Sequence, residues 1–289
     1  MRFLRIGPLG SERPALLAED EAHAYDLSSV TGDIDGDFLS RLLSHPDSWR
    51  DLSSRAAAGE FPLVSLAGVR VGAPLSRPGK VVCIGLNYRD HAAETGAAIP
   101  AEPVVFMKAP NTVVGPDDEV LIPRNSTKTD YEVELAVVIG RTARYLETPA
   151  EAAGVIAGYA ISNDVSEREF QLERGGTWDK GKSCETFNPL GPWLVTADEI
   201  ADPQALGLRL SVNGESRQAG STADMIFDVA HVVWYLSQFL VLEPGDVVNT
   251  GTPAGVAMGR AGTPFLQPGD VMELEIDGLG RQRQQLGKA

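Results

Sequence analysis

The sequence predicts a mixed α/β chain in which β-structure dominates. Short apolar runs bounded by Gly, Pro, Asn and Asp recur along the 289 residues, the pattern of strands separated by turns. One stretch, residues 225–240, keeps a 3.6-residue apolar period over several turns and reads as the one long helix. Strands outnumber helices and do not alternate strictly with them, so a doubly wound parallel sheet is not expected.

Taken in order, 2–6, 15–17 and 24–27 read as strands, and 37–45 as a short helix with Asp37 as its N-cap. Residues 1–72 carry few groups suited to chemistry and read as a small accessory domain. The Pro- and Gly-rich segment 72–80 (GAPLSRPGK) reads as the linker to a larger domain over 73–289. That domain opens with a strand at 80–85 and a helical turn that runs to a stop at Gly96. Strands at 104–108 and 120–123 follow. Thr148-Pro149-Ala150-Glu151 carries a capping box with Pro at the first helical position. Strands are expected at 158–163, 191–196 and 208–213. Ser221 or Thr222 is expected to cap the long helix. Two Pro-Gly-Asp turns, at 244–246 and 268–270, lead into strands at 247–250 and 271–276.

The most informative stretch is Asp130-Tyr131-Glu132-Val133-Glu134-Leu135, which runs into the apolar residues 135–139. In a strand, side chains alternate between faces, so Glu132 and Glu134 project together at the mouth of a buried strand. An isolated pair of this kind reads first as a solvated edge. A third carboxylate changes that reading: Asp164 ends another strand and opens a polar loop, a position favoured by functional groups. Three carboxylates with no His or Cys at ligand spacing suit a hard cation such as Mg²⁺ or Mn²⁺.

Three further groups carry chemistry. His91 and Glu94, three apart on a helical turn, share a face, and a carboxylate beside a histidine orients a general base. Arg168, Gln171 and Lys182 lie in the glycine-containing polar segment 165–183. Any of them can hold a substrate carboxylate or stabilise an oxyanion, or remain a solvated surface group. The turn Thr250-Gly251-Thr252-Pro253-Ala254-Gly255-Val256 offers backbone N–H groups and the Thr252 hydroxyl to a carboxylate. It lacks the Lys-Ser/Thr ending of a phosphate loop.

Bulk properties narrow the partners. The formal net charge is −15, against nucleic acid and against anionic membrane surfaces. The two cysteines, Cys83 and Cys184, have no zinc-ligand spacing and suit reduced thiols in a cytoplasmic protein. The first residues lack the apolar core of a signal peptide, and no uncharged apolar run reaches ~18 residues, so no membrane span is expected.

Six of these stretches resemble the fumarylacetoacetate hydrolase family and occur in family order. They are CIGLNYRDHAAETG (83–96), PVVFMKAPNTVVGP (103–116), DYEVELAVVIG (130–140), ISNDVSEREFQ (161–171), GKSCETFNPLGPW (181–193) and PGDVVNTGTPAGV (244–256). The resemblance implies the family's β-roll catalytic domain, a homodimer, and a Mg²⁺ or Mn²⁺ site on Glu132, Glu134 and Asp164. It implies a catalytic His91–Glu94 dyad with Lys182, and substrate contacts from Arg168, Gln171 and Thr252. Residues 163–183, with the small N-terminal domain, are most similar to the branch acting on diketo-deoxy sugar acids such as 2,4-diketo-3-deoxy-L-rhamnonate.

The expected activity is metal-dependent hydrolysis of a C–C bond in a β-diketo acid, an acylpyruvate or diketo-deoxy sugar acid. The partner is a small anionic oxo-acid. One scaffold hosts several reactions. An oxaloacetate-type decarboxylase, a 2-hydroxyhepta-2,4-diene-1,7-dioate isomerase and a non-catalytic binding protein are the alternatives.

Overall fold

The computed structural model describes residues 1–45, 47–260 and 262–289. Its organising element is the strand Val133–Ile139, in which every residue is buried. Val133, Leu135, Val137 and Ile139 face one apolar core, shared with Val232, Val233 and Leu236 of the long helix and with Leu208, Leu210 and Leu274. Ala136 and Val138 face a second core, with Phe38, Leu39, Ala160 and Val247. Period-two alternation therefore buries both faces of one strand. Each such aliphatic side chain contributes about 1.5–3 kcal/mol by leaving water.

Around this strand lies a mixed sheet. From one edge its order is Leu63–Ser65, His23–Asp26, Arg13–Leu17, Arg2–Ile6, Asn188–Thr196, Ile156–Asn163, Val133–Ile139, Val247–Asn249, Val81–Gly85 and Val104–Lys108. Most neighbours are antiparallel, while Val247–Asn249 and Val81–Gly85 run parallel. The strands of residues 1–72 extend this same sheet, because Arg2–Ile6 pairs with Asn188–Thr196. A second sheet, Glu215–Ser221, Gly207–Val212, Val271–Ile276, Gly280–Lys288 and Val120–Ile122, packs against the first core. The β-rich architecture expected from the sequence is the one observed.

Four local features differ from the sequence reading. The first helix runs Gly36–Ser44, and its N-cap is Asp35, whose Oδ1 accepts from the Phe38 N–H at 2.8 Å. Asp37 lies in the first turn instead. Pro149–Gly154 is a 3₁₀ turn in which the Thr148 side chain makes no capping bond. Glu151 reaches the Glu147 N–H at 3.4 Å rather than Thr148. The long helix spans only Val229–Ser237 and is capped by Asp228. Ser221 caps a separate 3₁₀ turn, and Ile226 and Phe227 donate their N–H groups to Asn87. Several short strands went unread, Leu63–Ser65 among them, and so did two long ones. Glu215–Ser221 is polar, yet it follows an Asn213-Gly214 turn with both residues at positive φ, a hairpin signal. Gly280–Lys288 hides its alternation because two of its inward residues are Gln282 and Gln284.

Both Pro-Gly-Asp turns place glycine in the left-handed region, at φ 89° for Gly245 and 95° for Gly269. They differ in burial. Asp246 is fully buried and accepts from the Lys80 and Glu243 N–H groups at 2.8 and 2.7 Å while pairing with the Lys80 ammonium. Asp270 is half-buried. Asp246→Ala is expected to cost about 2–4 kcal/mol and Asp270→Ala about 1 kcal/mol or less, measured by urea denaturation. Equal losses would contradict the role given to Asp246.

Candidate active site

Strand register assembles the site. In the antiparallel pair of Val133–Ile139 with Ile156–Asn163, Val133 lies opposite Asn163. One step further, Glu132 meets Asp164, and the Asp164 N–H donates to the Glu132 carbonyl at 2.9 Å. On the other side Ala136 lies opposite Asn249, which brings Glu134 to Gly251. The Gly251 N–H donates to Glu134 Oε2 at 2.8 Å. Gly251 holds φ 97°, and a Cβ there would meet the Asn87 Cβ at 2.8 Å, so this close approach requires glycine. Cys83 pairs with Asn249 in the parallel neighbour, and the chain leaving that strand turns into the helix Arg89–Thr95, which bears His91.

Glu132, Glu134 and Asp164 converge, each offering an oxygen within 4.8 Å of the others. All three are buried; Glu134 is held by protein donors through one oxygen, and Glu132 and Asp164 through both. Lys108 Nζ holds Asp164 Oδ1, Arg168 Nη2 holds Glu132 Oε1 at 2.7 Å, and Gly251 N–H holds Glu134 Oε2. Lys182 Nζ bridges Glu132 Oε2 and Asp164 Oδ2 at 2.6 and 2.7 Å. Arg168 also donates to Asp130 Oδ2 at 2.9 Å and to Gln171 Oε1 at 3.0 Å.

The electrostatics follow from burial. Burial raises the Glu132 carboxyl pKa, but the Lys182 and Arg168 charges outweigh it and hold the group below the usual range. Burial raises Glu134 well above that range, and the Asp164 and Glu132 charges add to the rise. For Lys182, burial opposes the charge, yet Asp164 and Glu132 raise its pKa overall. Buried Asp130, Glu132, Glu134 and Asp164 thus face three buried cations, Lys108, Arg168 and Lys182. Glu134 is the carboxylate left without a cationic partner of its own, in a donor set of oxygens alone. That is the donor chemistry a hard divalent cation takes, so the residues fit such an ion.

His91 is buried at the rim, with Nδ1 3.5 Å from Glu94 Oε2. Glu94 also accepts from the Gly255 N–H at 3.0 Å. Burial raises its pKa, but these partners leave it lowered overall. The Thr252 hydroxyl donates to the Val133 carbonyl at 2.9 Å and accepts from Gln218 Nε2 at 2.7 Å. The backbone N–H groups expected to face a ligand carboxylate here hold the chain's own carboxylates, through Gly251 and Gly255.

His91, Glu132, Glu134, Arg168, Gln171, Lys182 and Thr252 all line one cleft of about 180 Å³. Asp164 and Glu94 stand behind it, bonded to lining residues. Two members of the cluster were missed from sequence. Asp130 continues the period-two pattern of Glu132 and Glu134, a signal that was available. Lys108 ends an apolar strand, where nothing local marks it as buried. Lys108→Met would leave Asp164 short of a buried partner and is expected to cost about 3–5 kcal/mol, read by urea denaturation without added metal. A loss below about 1 kcal/mol would mean that Asp164 does not depend on this pair.

The sequence profile described as Fumarylacetoacetate (FAA) hydrolase C-terminal matches residues 80–287. A Burkholderia ambifaria protein bearing only the class name hydrolase is 50% identical over 285 residues, covering 98% of each chain. The fumarylacetoacetate hydrolase of Exiguobacterium antarcticum superposes with a TM-score of 0.85 at 36% identity over the whole of both chains. Maleylpyruvate hydrolase of Sphingobium sp. SYK-6, in complex with manganese(II) and pyruvate, gives 0.81 at 27% identity, again over both whole chains. A 2-hydroxyhepta-2,4-diene-1,7-dioate isomerase of Mycobacterium marinum gives 0.76 at 33%, covering 100% of this chain and 98% of that one. With the profile match and these whole-length similarities, the chain belongs to the fumarylacetoacetate hydrolase family.

Proposed function

We propose that the protein is a divalent-metal-dependent hydrolase that cleaves the C–C bond of a β-diketo acid, releasing pyruvate and a carboxylic acid. The observation that carries this reading is the shared cleft. A histidine backed by a carboxylate lines one cleft with Glu132 and Glu134, on which Asp164 converges from behind, and the space suits a small oxo-acid. The manganese-bound, pyruvate-bound relative supports the same class of cofactor and product.

Glu132, Glu134 and Asp164 would hold Mg²⁺ or Mn²⁺. When bound, the ion supplies a Lewis acid for the 2-oxo-acid end of the substrate. His91 Nε2 takes a proton from water, whose oxygen adds to the distal keto carbon. Glu94 keeps the other ring nitrogen oriented and favours the imidazolium that forms. Lys182, already charged by its two carboxylate partners, stabilises the developing oxyanion. The C–C bond then breaks with its electron pair moving to the methylene carbon. Protonation there gives pyruvate, and the attacked carbon leaves as the new carboxylate. Arg168 and Gln171 shape the wall beside Glu132.

Acetylpyruvate with Mg²⁺ or Mn²⁺ is the direct assay. Turnover in H₂¹⁸O is expected to place solvent oxygen in the acetate, and EDTA is expected to abolish turnover. A decarboxylase or isomerase would yield no labelled acid. His91→Ala is expected to lower kcat by about 10²–10⁴-fold with Mn²⁺ affinity, read by calorimetry, preserved. Retention of wild-type kcat would reject His91 as the base.

A further inference from the structure

Pairing between the strands Val133–Ile139 and Val247–Asn249 ends where Ala136 lies opposite Asn249. The Thr250 N–H and hydroxyl still reach the Leu135 carbonyl, at 3.1 and 2.8 Å. Beyond that point the neighbouring segment turns away at Gly251. Val133, which sits between Glu132 and Glu134 in the chain, is fully buried there and needs partners for its N–H and its carbonyl. Side chains take over. The Val133 N–H donates to Gln218 Oε1 at 3.0 Å, Gln218 Nε2 donates to Thr252 Oγ1 at 2.7 Å, and the Thr252 hydroxyl donates to the Val133 carbonyl at 2.9 Å. These three bonds close a loop on one peptide residue of the strand that bears the two glutamates. The second Nε2 hydrogen of Gln218 goes to the Pro253 carbonyl at 2.8 Å.

Gln218 comes from outside both segments. It lies on Glu215–Ser221 in the second sheet, and that strand presses on the glycine turn. A Cβ at Gly220 would come within 2.4 Å of the Pro253 Cβ, and one at Gly255, which holds φ 115°, within 2.1 Å of the Arg217 carbonyl oxygen. Two glycines thus bring strand and turn close enough for the fully buried Gln218 side chain to span from the turn to Val133. The same turn supplies the Gly251 N–H to Glu134 and the Gly255 N–H to Glu94. A buried amide is costly unless its polar atoms are bonded. Here every bond it makes joins the glutamate strand to the turn.

We infer that Gln218 is a positioning residue for the ion site: it fixes the separation between the strand bearing Glu132 and Glu134 and the turn that holds Glu134 through Gly251. This rests on the reading of Glu132, Glu134 and Asp164 as metal ligands. Glu134 has no cationic partner, so its orientation depends on one N–H, and the place of that N–H depends on the turn. Opening the hydrogen-bonded loop frees the turn to shift along the strand and leaves Glu134 without a fixed orientation.

The test is calorimetric titration of the metal-free full chain with Mn²⁺, with urea denaturation of each variant to establish that it is folded. Gln218→Met keeps the length of the side chain and removes its bonds; Thr252→Val opens the loop at another corner. Each is expected to raise the Mn²⁺ Kd by about 10–100-fold. The double variant is expected to bind within about twofold of the weaker single one, because both open the same loop. Asp246→Ala, which perturbs the opposite end of the same strands, is expected to lose stability with the Mn²⁺ Kd unchanged within about twofold. If the Gln218 and Thr252 variants bind as the wild type does, if their effects multiply, or if Asp246→Ala weakens binding equally, Gln218 has no role beyond stability and the inference is overturned while the metal site stands. Should Gln218→Met not fold, Gln218→Asn, whose amide is one carbon too short to close the loop, replaces it under the same criteria. A wild type that binds no Mn²⁺ overturns the metal reading and this inference with it.

Discussion

A buried carboxylate without a cationic partner is the constraint on which the site depends. Glu134 is the member of the acidic cluster with no cationic partner of its own; its one bonded oxygen is held by a backbone N–H. Taking a carboxylate from water without compensation is expensive. The protein meets this cost locally for Glu132 and Asp164 with Lys108, Arg168 and Lys182. What is left is a negative pocket of oxygens in a dry frame, where a divalent cation gains most from its charge. The same frame keeps the carboxylates from turning away, since Glu134 is bound through one oxygen and Glu132 and Asp164 through both.

The fold supplies this arrangement with few moving parts. Three neighbouring strands end at the same level of the sheet, so consecutive register positions become neighbours in space. Glu132 and Glu134 leave one strand, Asp164 leaves the next, and Gly251 leaves the third. His91 arrives from the fourth strand, whose exit turns into its helix. Glu94 ties that helix to the glycine turn through the Gly255 N–H. A ligand in the cleft therefore touches segments that the sheet has already fixed, and that pre-organisation is what places a catalytic group at useful distance.

Much of this was legible in the residues themselves. The alternation in Glu132-Val133-Glu134-Leu135 gave both the buried strand and the shared face of the glutamates. Asp164 was marked by its place at a strand end. Less legible were features whose signals are non-local. Lys108 looks like a surface lysine until the sheet closes over it. Arg168 reads as a free cation, but its partners Asp130 and Glu132 lie more than thirty residues away. The Ser221 cap was misread because residues 225–227 are drawn off to pair with Asn87 and Tyr88, which shortens the helix. The strand Gly280–Lys288 escaped notice because its buried Gln282 donates to the carbonyls of Ile161 and Gly191, and Gln284 to that of Pro116, instead of packing as apolar side chains.

The most direct test is the location of the ion. Crystals grown with Mn²⁺ and measured at its absorption edge should show one strong anomalous peak, in coordination contact with oxygens of Glu132, Glu134 and Asp164. Lys108, Arg168 and the Gly251 N–H should still hold the opposite oxygens. An empty cluster at saturating Mn²⁺, or a peak elsewhere with these carboxylates splayed apart, would contradict the account.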